Sequence, residues 1–193
     1  VQIAEPVVPP CEDWSTMEKL AREKEVVGIY ISGHPLDDYK FEMKYFCNAK
    51  LESLKNLEQH LGKNLSFGGI VTNVQHRTAK NGKGWATFVL EGYDESYEFR
   101  IFDEEYLKYR HFLLQNQFVY FKINVKEGWV NRETGKKSDP RIQFLDAKML
   151  ADVLPTFAKK LFIHLDIKDL HSNFVAELNE LFVANAGDNS VTF

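Results

Sequence analysis

The stretch LSFGGIVTNVQHRTAKNGKGWATFVLEGYDESYEFRIF, residues 65–102, decides the fold. It is rich in β-branched and aromatic residues, and its turn-forming residues gather at NGKG (81–84) and at Tyr93–Ser96, so it reads as three strands joined by two tight turns. In the third strand Tyr97, Phe99 and Ile101 alternate with Glu98, Arg100 and Phe102, the period-two pattern of a strand with one buried face. The pair Gly68–Gly69 in the first strand predicts a bulge that bends it.

Moving downstream, DEEYLKYRHFLLQN (103–116) changes to a helical pattern, with Asp103 as the expected cap. Strands then resume. In QFVYFKINVK (117–126) Val119, Phe121, Ile123 and Val125 share one face and Phe118, Tyr120, Lys122 and Asn124 the other; after a polar loop, 127–139, RIQFLDAKML (141–150) supplies a fifth strand. Five strands with a helix between the third and fourth is the order of the OB-fold, a small Greek-key barrel that binds oligonucleotides on strands two and three and on loops one-two and four-five. Another small antiparallel barrel with an inserted helix is the competing architecture.

Upstream, VQIAEPVVPP (1–10) predicts an extended strap. Ser15 and Glu18 have capping-box spacing ahead of Met17, Leu20, Ala21 and Val27, and Gly28 ends that helix. Pro35 opens a second helix, with His34 as cap, Asp37 and Asp38 at its positive end, and Leu36, Tyr39, Met43 and Phe46 as its stripe; a third runs from Leu51 to His60. After the barrel, LPTF (154–157) predicts a hinge, KKLFIHLDI (159–167) a strand, and Asp169 a cap for a helix carrying Leu170, Phe174, Leu178, Leu181 and Phe182. SVTF then starts a strand, and a chain stopping there is expected to be part of a longer parent. The expected class is α+β: a helical linker region over 1–64, a five-stranded OB-type β-barrel over 65–150, and a partial αβ domain over 151–193.

The net charge of -4 argues against a generally basic nucleic-acid binder. Its distribution matters more: residues 65–150 carry 13 Lys and Arg against 11 Asp and Glu, whereas 1–64 carry 8 against 11 and 151–193 carry 3 against 6. The barrel is the one positive segment. Cys11 and Cys47 are far apart and outside any CxxC spacing, which suits free thiols. No run approaches the roughly 18 apolar residues of a membrane span, so a cytoplasmic location with no membrane partner is expected.

The segment QHRTAKNGKGW, 75–85, holds Arg77, Lys80, Asn81, Lys83 and Trp85, with His76 and no acid. Phosphates call for mobile cations and flexible backbone, and bases for a flat surface to stack on; this loop supplies both. Loop four-five supplies a second set, Lys126, Trp129, Arg132, Lys136, Lys137 and Arg141, diluted by Glu127, Glu133 and Asp139. Strand alternation points Trp85 and Arg100 outward, onto the expected binding face. The plainer reading is two solvated basic turns and tryptophans that close a barrel edge; both loops being basic on one barrel favours nucleic acid. No phosphate-binding loop, metal-ligand spacing or nucleophile motif occurs, so no catalytic residue, metal or cofactor is expected.

EKEVVGIYISGHPLDDY, residues 23–39, resembles the C-terminal region of the bacterial DNA polymerase III alpha subunit, and the likeness continues through LSFGGIVTNVQHRTAKNGKGWATFVLEG and FDEEYLKYRHFL. The resemblance implies an OB domain that holds single-stranded DNA for a polymerase whose catalytic carboxylates lie in a palm domain outside this segment. It implies that Arg77, Lys80, Asn81, Lys83 and Trp85 form the strand-contacting loop and that Arg100 lies on the groove. For residues 159–193 it implies part of a domain that binds the clamp-loader tau subunit, among other replisome subunits. ELNELF (177–182) has a faint likeness to a clamp-binding peptide, but its leucines fit a helix core better. Two other functions stand beside this one: a protein-interaction scaffold for clamp or clamp-loader contacts with no direct DNA binding, and an anticodon-binding barrel, in which GHPLDDY has no place.

Overall fold

The computed structural model describes residues 13–130, 135–164, 166, 168, 171–187 and 190–192. The expected strap at 1–10, Cys11, Arg132, Asp169 and Leu170 lie outside them. Helices α1 (Thr16–Val27) and α2 (Lys40–Tyr45) precede strands β1 (Asn64–Thr78), β2 (Gly84–Glu91) and β3 (Ser96–Phe102). Helix α3 (Asp103–Tyr109) follows, then β4 (Phe118–Lys126) and β5 (Arg141–Met149). All pairings in this sheet are antiparallel, in the order β3-β2-β1-β4-β5. Strand count, order and the helix between β3 and β4 match the expected OB-like arrangement, but β3 and β5 are not hydrogen-bonded to each other, so the sheet curls without closing.

The alternation read from the sequence sets which face is dry. Phe88, Phe99, Phe121 and Ile123 are fully buried inside the curl, together with Phe67 and Phe144. The Phe88 ring lies 5.4 Å from Phe99 and 5.5 Å from Phe121, in the range where aromatic pairs attract.

Strand β1 carries the bend of the sheet, though not where the glycine pair predicts it. Asn64–Ile70 pairs with β4 and Ile70–Thr78 with β2, and the register slips between Thr72 and Gln75, where Asn73 takes a left-handed φ of 49°. Gly68 and Gly69 stay in regular register opposite Tyr120 and Val119. Their role is close approach: a Cβ on Gly69 would sit 2.6 Å from the Glu91 carbonyl oxygen and 2.8 Å from Leu90 Cγ. Gly69→Ala is therefore expected to cost about 1–3 kcal/mol by pushing β1 off β2. Urea unfolding checks this, and a midpoint equal to wild type would show that the strands can part freely.

The upstream helices form much as read. Ser15 Oγ accepts from the Glu18 amide at 3.2 Å, and Gly28, at φ 86°, ends α1. Pro35–Tyr39 is a 3-10 turn leading into α2; the His34 Nδ1 accepts from the Leu36 amide at 3.1 Å while the Asp37 carboxylate accepts from the His34 amide at 2.9 Å. Burial holds the His34 imidazole below its usual pKa, which suits this acceptor role. The third helix is different: Leu51–His60 is 3-10 and is broken at Asn56, which leaves the helical region of backbone angles. Leu51 and Leu54 still anchor it on the core.

These segments grip the β2–β3 turn. The Tyr93 hydroxyl donates to the Leu36 carbonyl at 2.8 Å, the Glu95 carboxylate accepts from the Leu51 amide at 3.0 Å, and Lys24 pairs with Glu91. On the other side, the expected hinge is helix α4 (Leu150–Phe157). Leu150 and Val153 are buried there with Leu36, Ile70 and Tyr120, and this packing outweighs the hydrogen bond to the Ala151 carbonyl that Pro155 cannot make.

Beyond it, β6 (Lys160–Phe162) and β7 (Ser190–Thr192) pair in parallel, with α5 (Phe174–Ala184) between them in sequence. Helix α5 starts with Asn173 in the capping position, later than an Asp169 cap would place it. It has no fully buried residue: Leu181 is exposed, while Phe174, Leu178 and Phe182 are half-buried. Among the described residues no helix is long and apolar enough to cross a membrane.

Candidate nucleic-acid interface

The β1–β2 turn is held by its own backbone. The Ala79 amide donates to the Lys83 carbonyl at 2.8 Å and the Gly82 amide to the Ala79 carbonyl at 2.9 Å, with Gly82 at φ 80°. Asn81 Oδ1 accepts from the Lys83 amide at 3.1 Å, so this oxygen shapes the turn. Arg77, Lys80 and Lys83 project from it into solvent. His76 does not join them. Its Nδ1 lies 3.2 Å from the Tyr106 hydroxyl and its Nε2 3.2 Å from the Leu113 carbonyl, which ties β1 to α3 and the residues after it.

On the outer face of the sheet Arg77, Trp85 and Phe102 are cross-strand neighbours in one row. The Arg77 guanidinium lies 5.4 Å from the Trp85 ring centre, and Trp85 stacks on Phe102 at 5.7 Å with 18° between planes. Trp85 points outward as expected but is half-buried between these neighbours. Phe102 is 52% exposed, a large flat surface turned to water. The next row pairs Thr87 with Arg100, which is also exposed.

The β4–β5 loop brings a second stack. Lys126 ends β4, and the Trp129 amide donates to Ser138 Oγ at 2.8 Å while the Ser138 amide donates to the Trp129 carbonyl at 2.9 Å. Gly128 permits this crossing, because a Cβ there would lie 1.9 Å from the Ser138 carbonyl oxygen. Trp129 is 70% exposed, with the Arg141 guanidinium 4.4 Å from its ring centre. Lys136 and Lys137 are exposed farther along the loop, and Lys137 pairs with Glu127 at 3.0 Å.

Between β3 and this loop lies a cleft of about 880 Å³. Lys83, Arg100 and Phe102 line it from one side, Trp129, Arg141 and Ile142 from the other. The structure thus brings four of the expected residues, Lys83, Arg100, Trp129 and Arg141, to one cleft; Arg77 and Trp85 reach it through Phe102. Lys80, Asn81, Lys126, Lys136 and Lys137 do not line it. Phe102 was legible in the alternation, as the outward companion of Glu98 and Arg100, but it lies outside the two basic loops.

Four carboxylates also line the cleft: Glu98, Asp103, Glu104 and Glu105. Burial raises the pKa of Glu105, an effect partly offset by the hydrogen bond it accepts from the Phe144 amide and by Arg141 and Lys108. Asp103 does not cap α3 as expected. Phe102 holds the capping position, and Asp103, at φ 50°, turns its carboxylate to the Lys83 ammonium at 3.2 Å. Elsewhere, burial pushes the Cys47 thiol up to about 12, which keeps it protonated near neutrality. Among the described residues no three His, Cys, Asp or Glu side chains are grouped to hold a metal ion. The cleft thus combines the exposed rings of Phe102 and Trp129 with three cations and four carboxylates.

The sheet fits an OB-like arrangement, and comparison with known proteins connects the chain to bacterial DNA polymerases. The chain is similar to one segment of the DNA polymerase III alpha subunit of several bacteria. It is 30% identical to DNA polymerase III subunit alpha of Campylobacter jejuni over 181 residues, 89% of this chain and 14% of the relative. The corresponding figures are 34% over 109 residues for Borreliella burgdorferi, 56% of this chain and 9% of the relative. For Saccharopolyspora erythraea they are 29% over 123 residues, 62% and 10%. The chain spans only 9–14% of the length of these curated relatives. No protein-family model matches it.

Proposed function

We propose that this segment is a non-catalytic, single-stranded DNA-binding part of a replicative DNA polymerase, which positions the template strand and links to replisome partners. The observation that carries the reading is the pair of aromatic–cation stacks, Arg77–Trp85–Phe102 and Trp129–Arg141, on the two sides of one cleft. Every base has a face that can stack on such rings, so the arrangement favours unpaired strands with little preference for sequence. Lys83, Arg100 and Arg141 meet the phosphates within the cleft, while Arg77 and Lys80 of the β1–β2 turn and Lys126, Lys136 and Lys137 of the β4–β5 loop add positive charge outside it, and Asn81 shapes the turn. The names of the relatives agree with a DNA substrate, and polymerization belongs to the longer parent.

Titration of a labelled single-stranded oligonucleotide at two salt concentrations tests this. Binding is expected to weaken with salt, and changing Arg77, Lys80 and Lys83 together to alanine is expected to flatten the log–log salt slope by about 1–2. Absence of binding at low salt, or a slope unchanged in the triple variant, would overturn the reading. A second reading, a scaffold for the clamp-loader tau subunit, is favoured by one observation: α5 exposes Val175, Leu181 and Val183. The first of those negative outcomes would leave this second reading in place.

A further inference from the structure

The cations of the groove are not idle in the free protein. Lys83, in the β1–β2 turn, pairs with Asp103 at the start of α3, and Arg100 with Glu98 on the same strand at 3.5 Å. Around the cleft, three cations, Lys83, Arg100 and Arg141, face four carboxylates. A surface built only for tight phosphate capture would leave its cations to water and counterions.

We infer that Asp103 and Glu98 are built-in competitors for phosphate, occupying Lys83 and Arg100 until a strand displaces them and so keeping the grip weak and exchangeable. The inference rests on the reading of the cleft as a single-strand site. Asp103 does not act through ordinary helix capping, since Phe102 occupies that position, and its left-handed backbone is a conformation that few residues other than Gly, Asn and Asp adopt. That backbone sends the carboxylate toward the β1–β2 turn. For a strand that must slide through the site, a cation that alternates between a carboxylate and successive phosphates releases each nucleotide without being left bare.

Asp103→Asn separates this role from a structural one, because asparagine tolerates the same backbone and keeps the shape. Binding of a labelled oligo(dT) is expected to tighten about threefold in D103N, the range of an exposed ion pair. Its log–log salt slope is expected to steepen by about 0.7, because no freed Asp103 carboxylate then takes up a cation to offset those that the strand releases on binding. In a Lys83→Ala background the same change is expected to bring no gain. Glu98→Gln, with and without Arg100→Ala, repeats the test at the second pair and serves if D103N does not fold. Unchanged affinity in D103N and E98Q would overturn the inference, as would an equal gain without Lys83 or Arg100, since that would be a general field effect. No binding by wild type or any variant would instead remove the single-strand reading itself.

Discussion

Replacing Phe88 by alanine is expected to lower the stability of the protein by about 3–5 kcal/mol, the cost of a cavity in a core that cannot fully collapse. Phe88 is fully buried on β2, and its ring meets those of Phe99, Phe121 and Phe144, from β3, β4 and β5. Because β3 and β5 share no hydrogen bonds, rings such as these supply much of what holds the two ends of the sheet together. Domains of this kind are stabilised by only about 5–15 kcal/mol, so the variant should unfold at a much lower denaturant concentration. Denaturant titration of F88A beside Val89→Ala, from the opposite face of the strand, is the measurement. A loss below about 2 kcal/mol would mean that the core repacks around the gap.

The largest effect on binding is expected from Phe102→Ala combined with Trp129→Ala. Each ring is more than half exposed, so removing both should leave the fold nearly intact. Stacking on an aromatic ring contributes about 1–3 kcal/mol per base, so the double variant should bind single strands at least about 30-fold more weakly. Its salt slope should stay near that of wild type, because no cation has been removed. That contrast divides the two halves of the proposed site: the basic turn governs how binding responds to salt, and the rings govern how much remains when salt is high. Full affinity in the double variant would show that bases do not reach the cleft between Phe102 and Trp129.

What could be read from the chain alone follows from the range of the interactions involved. Strands β1 to β5 and helix α3 were legible because alternation and turn chemistry are local, and Tyr97, Phe99 and Ile101 announce a buried face with nothing else known. The glycine pair signals a bulge locally, but its actual cause is distant in sequence: Leu90 and Glu91 press on Gly69, and Met43 on Gly68. Pro155 suggested a hinge, but burial of Leu150 and Val153 against the segment after His34 overrides that local signal. In the candidate site the basic residues could be found by counting. Their partners could not, because the pairing of Lys83 with Asp103 depends on a backbone angle at the start of α3. The stack of Phe102 on Trp85 needed the register of two strands.

The division of labour along β1 has a mechanical consequence. Its first half, Asn64–Ile70, carries β4 and β5, and its second half, Ile70–Thr78, carries β2 and β3. The two flanks of the sheet are thus like the arms of a clothes-peg whose spring is one strand, with the kink at Thr72–Gln75 close to the coil. Among the described residues the arms meet at their tips through no ladder, but through packed rings and two hydrogen bonds between α3 and β5, Tyr109 to the Leu145 carbonyl and the Phe144 amide to Glu105.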